Sequence, residues 1–321
     1  MQKVVITDYA FDTIDLEREA LAPVGCRLES LKSGKDQALI DLVKDADAVI
    51  TQFAPVNAAI IGAMQKCRVI VRYGIGVDNV DLKAAAAKNI PVCNIPDYCI
   101  DEVADHTLAL ILAATRQIVP CDSTIKSGQW KLPVPLTALH ALKYMTVGLV
   151  AFGRIGREVA ARLKPFKCRI LVFDPAVPAA AVKETGCVPV TLDELLAQSD
   201  LLSLHCPSTE KNKYMINATT IAKMKRGAIL VNASRGTLVE TPALVAALQS
   251  GQLSAAAMDV TDPEPPGAEH PLLKLSNVVI TPHDASATPQ AVKKLRTDAA
   301  GIAAMALRGE KLPNIVNGVG A

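Results

Sequence analysis

Apolar residues along this chain fall in short uninterrupted runs, each followed by a longer stretch whose apolar positions repeat at helical spacing. The runs Val4–Thr7, Ala48–Thr51, Val69–Val71 and Val92–Asn94 read as buried strands, and Asn57–Met64 and Leu82–Lys88 between them suit helices. Runs without alternation are what a sheet covered on both faces requires, so this rhythm predicts parallel strands with crossover helices. A longer helix is predicted over Ile100–Arg116, where Val103, Thr107, Leu108, Ile111 and Leu112 share a face and Asp101 stands where a cap is expected.

A second alternating series follows: Thr146–Val150, Arg169–Phe173, Leu201–Leu204, Ala228–Val231, Ala255–Met258 and Val278–Ile280, with helices such as Leu192–Ala197, Ala218–Met224 and Pro242–Gln249 between. Six strands fit a doubly wound fold. The last helical pattern, Pro289–Leu307, leads into Asn314–Asn317, expected to return to the first domain and make it discontinuous.

Composition narrows the partners. With 321 residues, half of them hydrophobic, two domains can each bury a core. Lys plus Arg number 34 against 32 Asp plus Glu, so a net charge of +2 gives no reason to expect nucleic acid or an acidic membrane surface as partner. No stretch approaches a membrane span of about 20 apolar residues, and the N-terminus lacks a signal peptide's apolar region, which makes cytoplasm the default. Eight cysteines carry no Cys-x-x-Cys pair and no zinc-type Cys/His spacing, so reduced, mostly buried thiols and no metal are expected.

The chemistry begins at Ala151–Gly156, directly after the strand Val147–Val150 and at the mouth of a helix. Gly153 lets a pyrophosphate approach the backbone, Gly156 lets helix pack on strand, and Ala151 stands where a first glycine is usual. Asp174 ends the next strand about 20 residues beyond Gly153, the offset at which a carboxylate meets the adenosine ribose. It would accept from both hydroxyls and repel a 2′-phosphate, which points to NAD rather than NADP. Before Pro175, Asp174 also suits the start of a turn.

Three polar residues stand in the last third: Arg235, Glu264 and His283. An arginine can hold a carboxylate with two parallel hydrogen bonds, a histidine can trade an alcohol proton, and a glutamate can orient and charge that histidine. Together they read as a hydride-transfer site beside a dinucleotide.

The order of motifs resembles the D-isomer-specific 2-hydroxyacid dehydrogenase family, including its phosphoglycerate dehydrogenase and C-terminal-binding-protein branches, over essentially the whole chain. The resemblance rests on Val71–Asp81, Asn94–Cys99 with Glu102–His106, the Ala151–Gly156 turn, His205–Pro207 and the three polar motifs. It implies an α/β protein of two doubly wound parallel-sheet domains. Residues 1–100 and 290–321 would form a flavodoxin-like substrate domain, and 101–289 a Rossmann NAD-binding domain. Arg235 would bind the substrate carboxylate, His283 act as acid and base, and Glu264 favour the charged histidine. Amides of Ile75 and Gly76 would help grip the carboxylate, with domain closure part of the cycle. Cofactor contacts implied are Gly153, Arg154, Ile155, Gly156, Asp174, Cys206, Ala233, Arg235 and Asp259, the last at the nicotinamide amide, with Val103 on the nicotinamide side. Phe53 stands on the substrate side. A homodimer through Ile100–Leu142 is implied as well.

Two departures leave the substrate open. Thr51-Gln52-Phe53-Ala54 replaces the Arg-Ser pair usual in phosphoglycerate dehydrogenases, and Asp284-Ala285-Ser286-Ala287 replaces the aromatic pair of the corepressor branch. A small 2-hydroxyacid or 2-ketoacid is the expected substrate. The alternatives are 3-phosphoglycerate or an NAD-sensing interaction protein. His205 is read as strand-end structure, His106, His140 and His270 as structural or exposed, and Trp130 as core packing.

Overall fold

The computed structural model describes residues 1–32 and 36–320. The chain divides into two compact units, Met1–Tyr98 with Thr288–Ala321, and Cys99–Ala287.

The first unit begins β1 (Lys3–Ile6), α1 (Asp15–Leu21), β2 (Arg27–Ser30), α2 (Asp36–Val43), β3 (Ala48–Thr51), α3 (Ala58–Ala63), β4 (Ile70–Arg72), α4 (Leu82–Ala87) and β5 (Val92–Cys93). Its strands are all parallel in the order β2-β1-β3-β4-β5. Every residue of β1 and β3 is buried because both faces are covered. Val4, Ile6 and Ile50 point to one core, and Val5 and Val49 to another shared with Leu39, Ile60 and Ile61. Asn57 starts α3 by accepting from the amides of Ala59 and Ile60, and Asp81 starts α4 through Ala84.

The second unit contains α5 (Ile100–Arg116), α6 (Ile118–Lys126), β6 (Thr146–Val150), α7 (Arg154–Leu163), β7 (Arg169–Phe173), α8 (Ala179–Glu184), β8 (Val188–Pro189), α9 (Leu192–Gln198), β9 (Leu201–Leu204), α10 (Ala218–Ala222), β10 (Ala228–Asn232), α11 (Thr241–Ser250), β11 (Leu253–Met258) and β12 (Val278–Ile280). Its parallel sheet runs β12-β11-β10-β9-β6-β7-β8, so the chain starts in the middle at β6, winds outward to β8, and restarts at β9 on β6's other side. The crevice at the carboxyl ends of β6 and β9 is where such a sheet binds ligands. Seven strands stand where six were expected, the addition being the two-residue edge strand β8.

From Thr288, whose hydroxyl accepts from the Ala291 amide, α12 (Pro289–Arg308) returns the chain to the first unit and packs against the core that holds Val4 and Ile50. The tail then reaches β5: Ile315 bridges Cys93, and Val92 and Ile90 exchange hydrogen bonds with the Asn317 side chain.

Two expectations are corrected. Asp101 does not cap α5; the cap position is Cys99, and Asp101 lies in the first turn, accepting from Arg162 Nη2 at 2.6 Å. Trp130 is not core but 92% exposed, in a stretch without strand or helix to pack on. Among the described residues no single helix is long and apolar enough to cross a membrane.

Candidate active site

The carboxyl end of β6 turns sharply. Ala151 takes φ 75°, its amide donating to the Phe173 carbonyl, and Gly153 occupies the cap position of α7 without any side-chain cap. A Cβ on Gly156 would lie 2.5 Å from the Ala151 carbonyl oxygen, so only glycine lets α7 pack this close to the strand. A Cβ on Gly153 would meet nothing within 4 Å. The uncapped amides of α7 thus open onto free space at the switch point, which fits a pyrophosphate held by a helix N-terminus.

Asp174, just beyond β7, starts a turn, as its position before Pro175 suggested. Its Oδ2 accepts from the Phe152 amide at 2.7 Å, which ties the phosphate turn to the neighbouring strand. Its Oδ1 accepts from Ala176 and Val177, closing a turn of its own. Arg154 and Ile155 form the first turn of α7, and Val103 is buried on α5.

Across the switch point, β9 leads to His205 and Cys206, and β10 to Ala233, Ser234 and Arg235. The Ser234 hydroxyl donates to the Cys206 carbonyl, joining the two loops. Cys206 is buried and burial pushes its thiol up to about 11, so it packs rather than reacts. Burial also pushes His205 down to about 4, and its Nε2 is enclosed without a partner among the described residues. That histidine is neutral at ordinary pH and structural.

Arg235 is half-buried, held by the Asn232 side chain, which donates to its carbonyl, and by its own Nη1, which donates to the Ser234 carbonyl. The loop carrying Glu264 is fastened by the Thr241 hydroxyl donating to the Asp262 carbonyl and the Tyr214 hydroxyl donating to the Asp262 carboxylate. His283 follows β12 with φ 55°, and its Nδ1 lies 2.5 Å from Glu264 Oε1. Burial works to raise the Glu264 carboxyl, but the hydrogen bond and charge of His283, with the Thr261 backbone and Arg235, outweigh it and hold the group below the usual carboxylate value.

Asp259, almost fully buried, builds the turn that presents the imidazole. Its carbonyl accepts from the His283 amide, and its carboxylate from the Asp284 and Ala285 amides and the Thr281 hydroxyl. Burial nonetheless drives its carboxyl above the ordinary value. His106 on α5 reaches Thr281 Oγ1 at 2.9 Å and lies 3.6 Å from Asp259 and 3.8 Å from Asp284. These three side chains place their ligand atoms within 4.8 Å of one another, but the Asp259 oxygens are already committed to the turn.

In the first unit Ile75 and Gly76 lie in the loop after β4 and Phe53 in the loop after β3. The Asn79 side chain donates to the Gln52 and Ala54 carbonyls, linking the two loops. Sequence reasoning passed over Asp8, a buried carboxylate that accepts from the Gln52 and Phe53 amides. It also passed over Asn94. A cavity of about 310 Å³ lined by His140, Tyr144, Lys225 and Arg226 opens at the opposite, amino-terminal edge of the second unit's sheet and touches none of these groups.

The second unit is therefore a Rossmann-type domain with a glycine turn at its switch point and a hydrogen-bonded Glu264–His283 pair on the loops after β11 and β12. The family model described as D-isomer specific 2-hydroxyacid dehydrogenase, NAD binding domain, matches residues 108–285. A glyoxylate reductase of Korarchaeum cryptofilum is 38% identical over 96% of this chain and 95% of its own length. A D-3-phosphoglycerate dehydrogenase of Mycobacterium leprae is also 38% identical over 94% of the chain, which spans only 57% of that protein. The crystal structure of D-lactate dehydrogenase from Aquifex aeolicus, complexed with NAD and lactic acid, superposes with a TM-score of 0.87 at 28% identity, covering 96% of each chain. The chain belongs to the D-isomer specific 2-hydroxyacid dehydrogenase family, and its cofactor is NAD.

Proposed function

We propose that the chain reduces small unphosphorylated 2-ketoacids to D-2-hydroxyacids with NADH. The observation that carries this reading is the 2.5 Å contact between His283 Nδ1 and Glu264 Oε1, made by a carboxylate whose charge is favoured. A carboxylate there fixes the ring and stabilises its protonated form, leaving Nε2 to give a proton to the forming alcohol oxygen. Bound NADH supplies the hydride to C2, so one 2-ketoacid, one NADH and one proton give one 2-hydroxyacid and NAD. Arg235 holds the substrate carboxylate and draws charge from the C2 oxygen. The amides of Ile75 and Gly76 and the Phe53 side chain are the first unit's proposed contributions to substrate binding. Gly153, Arg154, Ile155 and Gly156 hold the pyrophosphate, Asp174 the ribose hydroxyls, and Cys206, Ala233 and Val103 the nicotinamide half, while Asp259 acts there only by holding the His283 turn.

The substrate class is read from the neutral Gln52 and Phe53, which stand where phosphoglycerate dehydrogenases usually carry an Arg-Ser pair. The Gln52 amide oxygen accepts from the Ala10 amide, and the neighbouring loop amides are taken by the Asp8 carboxylate. Neither side chain offers a phosphate a counter-charge of its own. Steady-state rates with glyoxylate, pyruvate, hydroxypyruvate and, in the other direction, 3-phosphoglycerate test the reading; a clear preference for the phosphorylated acid overturns it. Self-association through the 100–142 region belongs to the same proposal, since Ile118, Val119, Leu132 and Leu136 are exposed there. Gel filtration at micromolar concentration checks it.

A further inference from the structure

We infer that Asn94 is a positioning residue that aims the Ile75 and Gly76 amides as a pair, so that it sets affinity for a substrate carboxylate without touching substrate. The inference rests on the role proposed above for those two amides.

The loop after β4 begins at Tyr73, whose amide donates to the Thr51 carbonyl. Gly74 then takes φ 145°, and a side chain there would run into the Arg72 guanidinium, so only glycine turns the chain at this point. Beyond it two consecutive peptide carbonyls are captured by one short segment. The Gly74 carbonyl accepts from the Ile95 amide at 3.0 Å, and the Ile75 carbonyl accepts from Asn94 Nδ2 at 2.7 Å.

A trans peptide holds its C=O and N–H in opposite directions across a rigid plane. In an extended strand successive carbonyls alternate, whereas here both face residues 94 and 95. The amides on the far side of the same two peptides, those of Ile75 and Gly76, therefore both point away from that segment. Two adjacent amides on one side form a concavity for an anion. The Ile95 contact is a backbone bond that any residue but proline supplies. The Asn94 contact depends on its side chain, which is buried at the end of β5 and has the reach and the donor for it. Losing it frees the Ile75–Gly76 peptide to rotate and scatters one of the two amides.

The test compares wild type with Asn94→Leu, a near-isostere without a donor, and with Asn94→Ser, a smaller change that decides the matter where the leucine variant fails to fold. Pyruvate and its neutral amide, pyruvamide, are the two probes, with NADH affinity measured by nicotinamide fluorescence. A positioning role predicts that KM for pyruvate rises about tenfold or more, the scale of one hydrogen bond to a charged group, while kcat changes less. The preference of kcat/KM for pyruvate over pyruvamide should fall at least tenfold, with NADH affinity unchanged. A smaller fall in that preference, including an equal loss with both probes, overturns the inference. Wild-type protein that reduces none of the 2-ketoacids overturns the proposed function instead, so the two failures are told apart.

Discussion

Gly236 follows Arg235 directly and packs backbone to backbone against the segment that leads to Glu264. A Cβ at this position would lie 2.9 Å from the Asp262 nitrogen and closer still to the Thr261 carbonyl. Real Cβ atoms keep beyond about 3 Å of such atoms, and neither neighbour is a side chain that could swing aside. Gly236→Ala must therefore drive the two loops apart by about 1 Å, and a displacement of that size at reacting groups costs roughly a hundredfold in rate. The overpacking itself costs about 1–3 kcal/mol of stability. Steady-state reduction of the best 2-ketoacid, thermal melting and NADH titration should show kcat/KM down about a hundredfold, a lower melting temperature, and a much smaller loss of NADH affinity, because Gly153 and Asp174 lie on other loops. A folded variant with kcat/KM within threefold of wild type would refute the reasoning.

Other outcomes follow from the same geometry. His283→Ala should bind NADH normally yet lose about 10²–10⁴-fold in turnover, and near-normal rates in single-turnover assays would remove it from the chemistry. Glu264 titrates below the usual glutamate value in the folded state, so its stabilising contribution is complete above the unfolded value and lost as pH falls through the folded-state titration. The gap in melting temperature between wild type and Glu264→Gln should accordingly be wider at pH 7 than near pH 4, and a gap that grows on acidification contradicts the assignment. NADH should be preferred to NADPH, and Asp174→Ala should narrow that preference while also raising KM for NADH, since the same carboxylate holds the Phe152 amide. Equal use of both cofactors by wild type would take the ribose role from Asp174.

What the sequence made legible tracks burial. β1, β3, β6, β9 and β10 are covered on both faces, and their uninterrupted apolar runs stand out from any background. β2 was not predicted because an edge strand needs little apolar surface: Arg27 is exposed and Leu28, Glu29 and Ser30 are only half-buried. β8 is two residues long and α1 carries four charged residues in seven, so neither shows a period. Trp130 was misread for the converse reason, since an aromatic residue signals burial only where an element exists to bury it.

At the proposed site, Arg235, Glu264 and His283 drew attention in the sequence because the roles proposed for them need a particular side chain. Asn94, Asp8 and Gly236 did not, because they act on backbone groups that every residue carries, and nothing in a sequence says which amide a buried carboxamide or carboxylate will meet. The same limit applies to two of the non-glycine residues held left-handed, Ala151 and His283. That conformation costs an L-residue about 1–2 kcal/mol and persists only where the surroundings over-determine it. The Phe173 carbonyl and the space left by Gly156 hold Ala151, and four hydrogen bonds around Asp259 hold the His283 turn. The direction of the His283 imidazole is thus set by a buried carboxylate on a neighbouring strand end as much as by Glu264, and the strain lies in the loop where the proposed proton transfer needs a fixed geometry.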